Sequence, residues 1–314
     1  MSSNPWFRIA ATASAVVFVL LLAASWRFLE SRGVFTSVET KKPAQCRMVA
    51  KLPAISDVAV DDASGTVFVA SRSGGLYGFA WGPLVRLGGT PKDFHPVAIA
   101  LAHNPRTRLQ VLFAKADGRH AIAVFDLRPD GLSEVGRLST DVLTDPAALA
   151  ALDTDRFYLV NRHHSRTALG RWLDDVFLLP RADVLYFDAM KFVTVAGRLN
   201  SPAGIGLSSD KKHLYVSEDY PRSLVTFTRD DFTGGVENPT VMPIESGLGK
   251  IHVAEDGSVI IAARPKPGTG QVWRVKDGNA ELVYARKDGE IAAAAQLGRH
   301  LLVGATDGLT DCFF

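Results

Sequence analysis

Asp61-Asp62-Ala63-Ser64-Gly65-Thr66-Val67-Phe68-Val69-Ala70, followed after a short polar turn by Gly75-Leu76-Tyr77-Gly78-Phe79, is the stretch that decides the fold. A turn of Asp, Ser and Gly releases into a β-branched and aromatic run, and a second such run follows. That is the pattern of a β-hairpin. The same grammar returns along the chain. Ser209-Asp210-Lys211-Lys212 precedes Leu214-Tyr215-Val216-Ser217, and Glu255-Asp256-Gly257 precedes Val259-Ile260-Ile261-Ala262. Further marker runs are Val111-Leu112-Phe113-Ala114, Phe157-Tyr158-Leu159-Val160 and Leu301-Leu302-Val303-Gly304. Second strands follow at Ile122–Phe125, Ser223–Phe227 and Gln271–Val275.

With Phe68, Phe113, Tyr158, Tyr215, Ile260 and Leu302 as markers, the steps are 45, 45, 57, 45 and 42 residues. A period near 45 is the length of a four-stranded propeller blade. Six markers predict an all-β, six-bladed β-propeller. The long step places an insertion at His163–Arg181, where Leu169, Trp172, Leu173, Val176 and Phe177 recur at helical spacing. This predicts an amphipathic helix or lid above the blades. Its apolar residues either cap hydrophobic surface or carry function, since loops on one face of such scaffolds usually do.

The 314-residue chain balances 35 basic against 33 acidic side chains, for a net charge of +2. That balance excludes an electrostatic nucleic-acid binder. Ile9–Ser25 is uncharged over seventeen residues, just long enough to cross a thin bilayer as a helix. The reading is an N-terminal anchor over residues 1–26, a polar tether over 27–45 and a propeller over 46–314. A cleaved signal peptide ending at Ala23-Ala24-Ser25 is the alternative, and Arg27 so close behind argues against cutting.

The only cysteines, Cys46 and Cys312, stand at opposite ends of the repeat region. A propeller commonly closes its ring by pairing a strand from one terminus with strands from the other. A disulfide between the two would staple that closing blade, and it requires an oxidising compartment. Two separately buried thiols are the alternative. A two-cysteine metal site would need His or carboxylate partners.

This layout of an N-terminal apolar segment, a cysteine before blade one, six blades and a terminal cysteine resembles the paraoxonase family of arylesterases and lactonases. Local sequence agrees in order: Cys46-Arg47-Met48-Val49, Phe94-His95-Pro96-Val97-Ala98-Ile99, Asp155–Asn161, the Trp172 segment, Pro202–Asp210 and Asp311-Cys312-Phe313-Phe314. The resemblance covers nearly all of 46–314. It extends more distantly to gluconolactonase-like and strictosidine-synthase-like propellers.

The resemblance implies a calcium-dependent hydrolase, with calcium in the central tunnel and a histidine dyad that activates water. Carried over position by position, most of that machinery is missing. Of the family's Glu-Asp pair before blade one, Ser56-Asp57 keeps only the aspartate, a structural-calcium ligand. Asn161 keeps its identity, but the acid after it is Arg162. Ala203 replaces an asparagine, and Gly249-Lys250 replaces an Asp-Asn pair. Val97 and Lys115 stand at the dyad positions. Asn161 and Asp57 are thus the remaining candidate metal ligands, and Lys250, Arg162 and Lys115 are cations expected where ligands were.

Calcium takes roughly six to eight hard oxygens, including carboxylate charge, which one amide cannot supply. The expectation is therefore a degenerate propeller with no cofactor beyond a residual structural calcium. It would serve as a binding or assembly module, joined to a membrane by its N-terminal helix and to a protein partner. Arg162 and Lys250 are alternatively matched by acids such as Asp57 or Glu218. The alternative activity is a calcium-dependent ester or lactone hydrolase with a rearranged site. His163-His164 could supply a base or a metal ligand, although neighbours on a strand point to opposite sides. No Gly-x-Ser-x-Gly elbow, His-Glu-x-x-His motif or P-loop occurs.

Overall fold

The computed structural model describes residues 5–31, 33–34, 36–43, 45–91, 94–103, 106–129 and 131–314. The chain opens with helix α1 (Pro5–Ser31), followed by strand β1 (Gln45–Ala50). Blade one is β2 (Ile55–Asp61), β3 (Thr66–Ser71), β4 (Gly75–Phe79) and β5 (Val85–Arg86). Blade two is β6 (His95–Ala102), β7 (Arg108–Ala114), β8 (His120–Arg128) and β9 (Gly131–Leu138). Blade three holds β10 (Pro146–Ala151) and β11 (Phe157–Asn161), then helix α2 (Ala168–Phe177), then β12 (Ala182–Phe187) and β13 (Phe192–Leu199). Blade four is β14 (Pro202–Leu207), β15 (His213–Glu218), β16 (Ser223–Arg229) and β17 (Val236–Pro243). Blade five is β18 (Gly247–Val253), β19 (Val259–Arg264), β20 (Gly270–Lys276) and β21 (Asn279–Arg286). Blade six joins β22 (Ile291–Leu297), β23 (His300–Ala305) and β24 (Gly308–Phe313) to β1.

The repeat read from the sequence is thus six blades, and every marker run is the second strand of its blade. These runs are almost wholly apolar because both of their faces are covered. On β11, Phe157 and Leu159 pack with blade two, while Tyr158 and Val160 pack with blade four. Alternation with period two points successive side chains to opposite faces, so a strand between two blades has no solvent side. Among the described residues the core is accordingly six clusters, one at each junction between neighbouring blades. Tyr158 adds polar specificity to its junction: its hydroxyl donates to Gly234 O at 2.8 Å and accepts from Arg229 Nε at 2.9 Å.

Closure follows the expected route. Strand β1 pairs antiparallel with β24, Cys46 lies opposite Cys312, and the two form a disulfide. Such a bond persists in an oxidising environment. At the hub the backbones come very close. A Cβ on Gly204 of β14 would lie 2.3 Å from Gly249 O of β18, so only glycine fits there.

Two expectations need correction or completion. Residues 5–31 do form a helix, but among the described residues no helix is long and apolar enough to cross a membrane. The expected membrane span is therefore not borne out, and several side chains within Ile9–Ser25 lie outside the described residues. The expected tether is partly structured. Lys41 bridges Ala285 of blade five through the backbone, and Val38 is buried.

The insertion at 163–181 contains α2 as expected, and its orientation decides between the two readings left open. Thr167 caps its N-terminus by accepting from Gly170 N at 3.1 Å. Leu178 ends it in the left-handed conformation, at φ 52°. The apolar side faces solvent: Leu169, Trp172 and Phe177 are 68%, 57% and 63% exposed. The polar side is the one turned to the propeller, and Asp174 is buried.

Candidate functional site: the tunnel and the cavity beneath the second helix

The innermost strands β2, β6, β10, β14 and β18 surround a central channel of about 180 Å³. Asp57 projects from β2 and Lys250 from β18, and their charged atoms lie 3.7 Å apart. Both side chains are nearly out of water, at 11% and 12% exposed. The Asp57 carboxylate also accepts from Val58 N at 2.9 Å and Ile99 N at 3.0 Å. Lys250 Nζ donates to Ala147 O of β10. The ammonium thus ties three blades together across the hub.

Electrostatics at the pair follow from burial. Burial raises the Asp57 carboxyl above its ordinary value, although Lys250 and the two backbone donors pull it down. Burial pushes Lys250 down to about 8, against the attraction of Asp57 and helped by the repulsion of Arg72 and Arg162. His252, deeper in the channel, hydrogen-bonds Gln296 O at 3.1 Å, and burial drives it down to about 4. It is neutral at physiological pH.

Asn161 ends β11 and is buried, but its partners differ from those of Asp57. Its Nδ2 donates to Asp183 Oδ1 at 3.0 Å and to Val142 O at 2.9 Å, and its Oδ1 is buried without a partner. Arg162 follows at the end of the strand, where its backbone N–H donates to Asp145 O at 2.8 Å. Lys115 sits in the β7–β8 turn, with Nζ 3.9 Å from Asp117 of the same turn. Glu218 accepts from Asn200 N and Ser223 Oγ, both at 2.7 Å. The structure therefore brings Asp57 and Lys250 together, and holds Asn161, Lys115 and Glu218 in separate contacts. Among the described residues no three His, Cys, Asp or Glu side chains converge as a metal site.

Sequence reasoning missed a network at the same end of the blades. His163 is buried, with Nδ1 2.6 Å from Asp145 Oδ2 and Nε2 3.0 Å from Asp175 Oδ1 of α2. Burial opposes its charge, yet the two carboxylates outweigh it and push the imidazole up to about 9. Burial likewise works to raise Asp145, but His163, Arg171 and Arg162 hold it below the usual range. An imidazolium gripped at both nitrogens is a tether for α2 and has no free nitrogen to act as a base. Arg171 to Asp145 at 3.3 Å and Arg181 to Asp174 at 3.4 Å fasten the helix further. The available signal was an acid just before the inner strand at Pro146 and an acid on the polar side of α2.

Beneath α2 lies a cavity of about 130 Å³, walled by Arg162, His163, Asp174, Arg181, Tyr220 and Arg264 among others. It opens on the face where the second and third strands of each blade turn. Helix α1 ends on the same face, since Arg222 in the β15–β16 turn donates to Glu30 O at 3.3 Å.

Solved structures place the fold among familiar propellers. A calcium-binding protein, regucalcin from Agrobacterium tumefaciens, superposes with a TM-score of 0.61 at 17% identity, covering 88% of this chain and 95% of its own. A gluconolactonase from Xanthomonas campestris gives 0.58 at 15% identity, covering 88% and 98%. A luciferin-regenerating enzyme gives 0.59 at 12%, covering 88% and 96%. At these identities the likeness is one of fold. No curated protein matches the chain. The arylesterase family model, however, matches residues 83–288, which run from the first blade through the fifth, and the chain belongs to the arylesterase family.

Proposed function

We propose that this chain is a catalytically degenerate arylesterase-family propeller that works as a membrane-associated binding module. The observation that carries the reading is the Lys250 ammonium inside the tunnel, 3.7 Å from Asp57. The donor set there does not fit calcium. Its one carboxylate is already matched by an ammonium, and the unpartnered Asn161 Oδ1 offers only a neutral amide oxygen. A calcium ion on Asp57 would meet Lys250 at close range, and two unit charges at 4 Å repel by about 4 kcal/mol even at an effective dielectric of 20. The double charge of the ion makes this worse.

The surface of the module is the α2 face. A helix that turns Leu169, Trp172 and Phe177 to solvent while fastening its polar side beneath suits an apolar contact, and α1 ends on that same face. The reading has α1 holding the propeller to a membrane on its oxidising side, with α2 at the contact with lipid or with a membrane protein.

The test is calorimetric titration of the purified full chain with calcium, alongside turnover of an aryl ester and a lactone. The expected result is no stoichiometric calcium and no turnover. Tight stoichiometric calcium with turnover that is lost in Asn161→Ala would establish instead a hydrolase with a rearranged site. Purification in mild detergent, with identification of what remains bound, then addresses the partner.

A further inference from the structure

The walls of the cavity beneath α2 carry three carboxylates, and each already has its cation. Asp174 is met by Arg181 at 3.4 Å, Asp175 by His163 at 3.0 Å and Asp219 by Arg264 at 3.5 Å. One cation in the wall is left over. Among the described residues no carboxylate closes on the Arg162 guanidinium, and its Nε is buried without a partner. Asp145, which feels the Arg162 charge through space, is ion-paired with His163 and Arg171 instead. A half-buried guanidinium without a counter-ion is costly unless something supplies one.

We propose that the cavity beneath α2 binds a small organic carboxylate, with Arg162 as its counter-ion. A guanidinium presents a planar fork that matches the two oxygens of a carboxylate. Leu178, Leu179 and Pro267 line the same cavity and offer apolar surface to a short carbon chain, which inorganic anions do not have. The size of the site limits the ligand. A cavity of about 150 Å³ takes up benzene, so the 130 Å³ here suits about six non-hydrogen atoms. The site is distinct from the α2 contact surface, whose apolar residues point away from the propeller.

Titration of the full chain with sodium butyrate tests this, read by calorimetry and by ligand-observed NMR. One equivalent should bind with a Kd of about 1 mM, a fair affinity for a ligand of this size. Arg162→Gln should weaken binding tenfold or more, while butanol should not bind. Leu179→Trp, which fills the cavity and leaves the guanidinium in place, should abolish binding and keeps the test decisive if Arg162→Gln fails to fold. Absence of butyrate binding to the unaltered chain, or equal binding by either folded variant, overturns the proposal. Sulfate binding as well as butyrate overturns the organic class. Calcium binding or ester turnover would refute the degenerate reading above without touching this one.

Discussion

Removing the Lys250 ammonium is the sharpest test of how the hub is held. Lys250→Met keeps most of the volume and deletes one charge beside Asp57, whose carboxylate is 3.7 Å away and nearly buried. Breaking a buried pair by removing one partner costs about 3–5 kcal/mol, because the remaining charge has neither water nor a counter-ion. The lost bond to Ala147 O adds a smaller term. For a domain of this size that corresponds to a fall in Tm of about 6–20 °C. Asp57→Asn should cost less. Lys250 already sits at about 8, so at pH 7 it can shed its proton for about 1–2 kcal/mol. The double variant contains neither charge and should be more stable than the sum of the single losses predicts, with a coupling of about 2 kcal/mol. Urea unfolding at pH 7, followed by tryptophan fluorescence, reads all four proteins. A Lys250→Met chain as stable as the parent, or single losses that simply add, would refute the argument.

The His163 tether should make stability depend on pH with a defined sign. Its pKa rises from 6.5 to about 9 on folding, so its contribution is full below pH 6.5 and is lost as pH rises through 9. The difference in unfolding free energy between the parent and His163→Gln should therefore shrink between pH 6.5 and 8, and a flat difference would show that the imidazole is not protonated in the folded state. The Cys46–Cys312 bond closes almost the whole propeller, with a sequence separation of 266. Replacing both cysteines by alanine should cost about 5 kcal/mol in the chain-entropy model, and an unchanged urea midpoint would mean that the paired β1 and β24 close the ring without it.

Much of the architecture was legible because it is periodic. Strands buried between two blades must be apolar on both faces, so Phe157–Val160 and its counterparts stand out as unbroken runs, and the turns between them are marked by Asp and Gly. The ring closure was legible for a related reason, since a cysteine at each end of a closed array has few other places to go. The candidate site was less open to reading. Lys250 could be recognised as a cation in a ligand's place, but its meeting with Asp57 joins blades one and five. The His163–Asp145–Asp175 network depends on where the strand end, the inner-strand approach and α2 converge. The orientation of α2 was not legible at all. Leu169, Trp172 and Phe177 at helical spacing left open whether they cap hydrophobic surface or carry function, and periodicity cannot say which side of a helix faces the protein.

By itself the sequence determined the number of blades, the place of the insertion and the pair of cysteines, because each follows from local pattern or from repetition. Only the tertiary structure decided which charges neutralise one another, which side of α2 is turned outward, and that Arg162 Nε is buried without a partner. Coulombic matching and burial are properties of atoms brought together across blades, and their separation along the chain does not encode them.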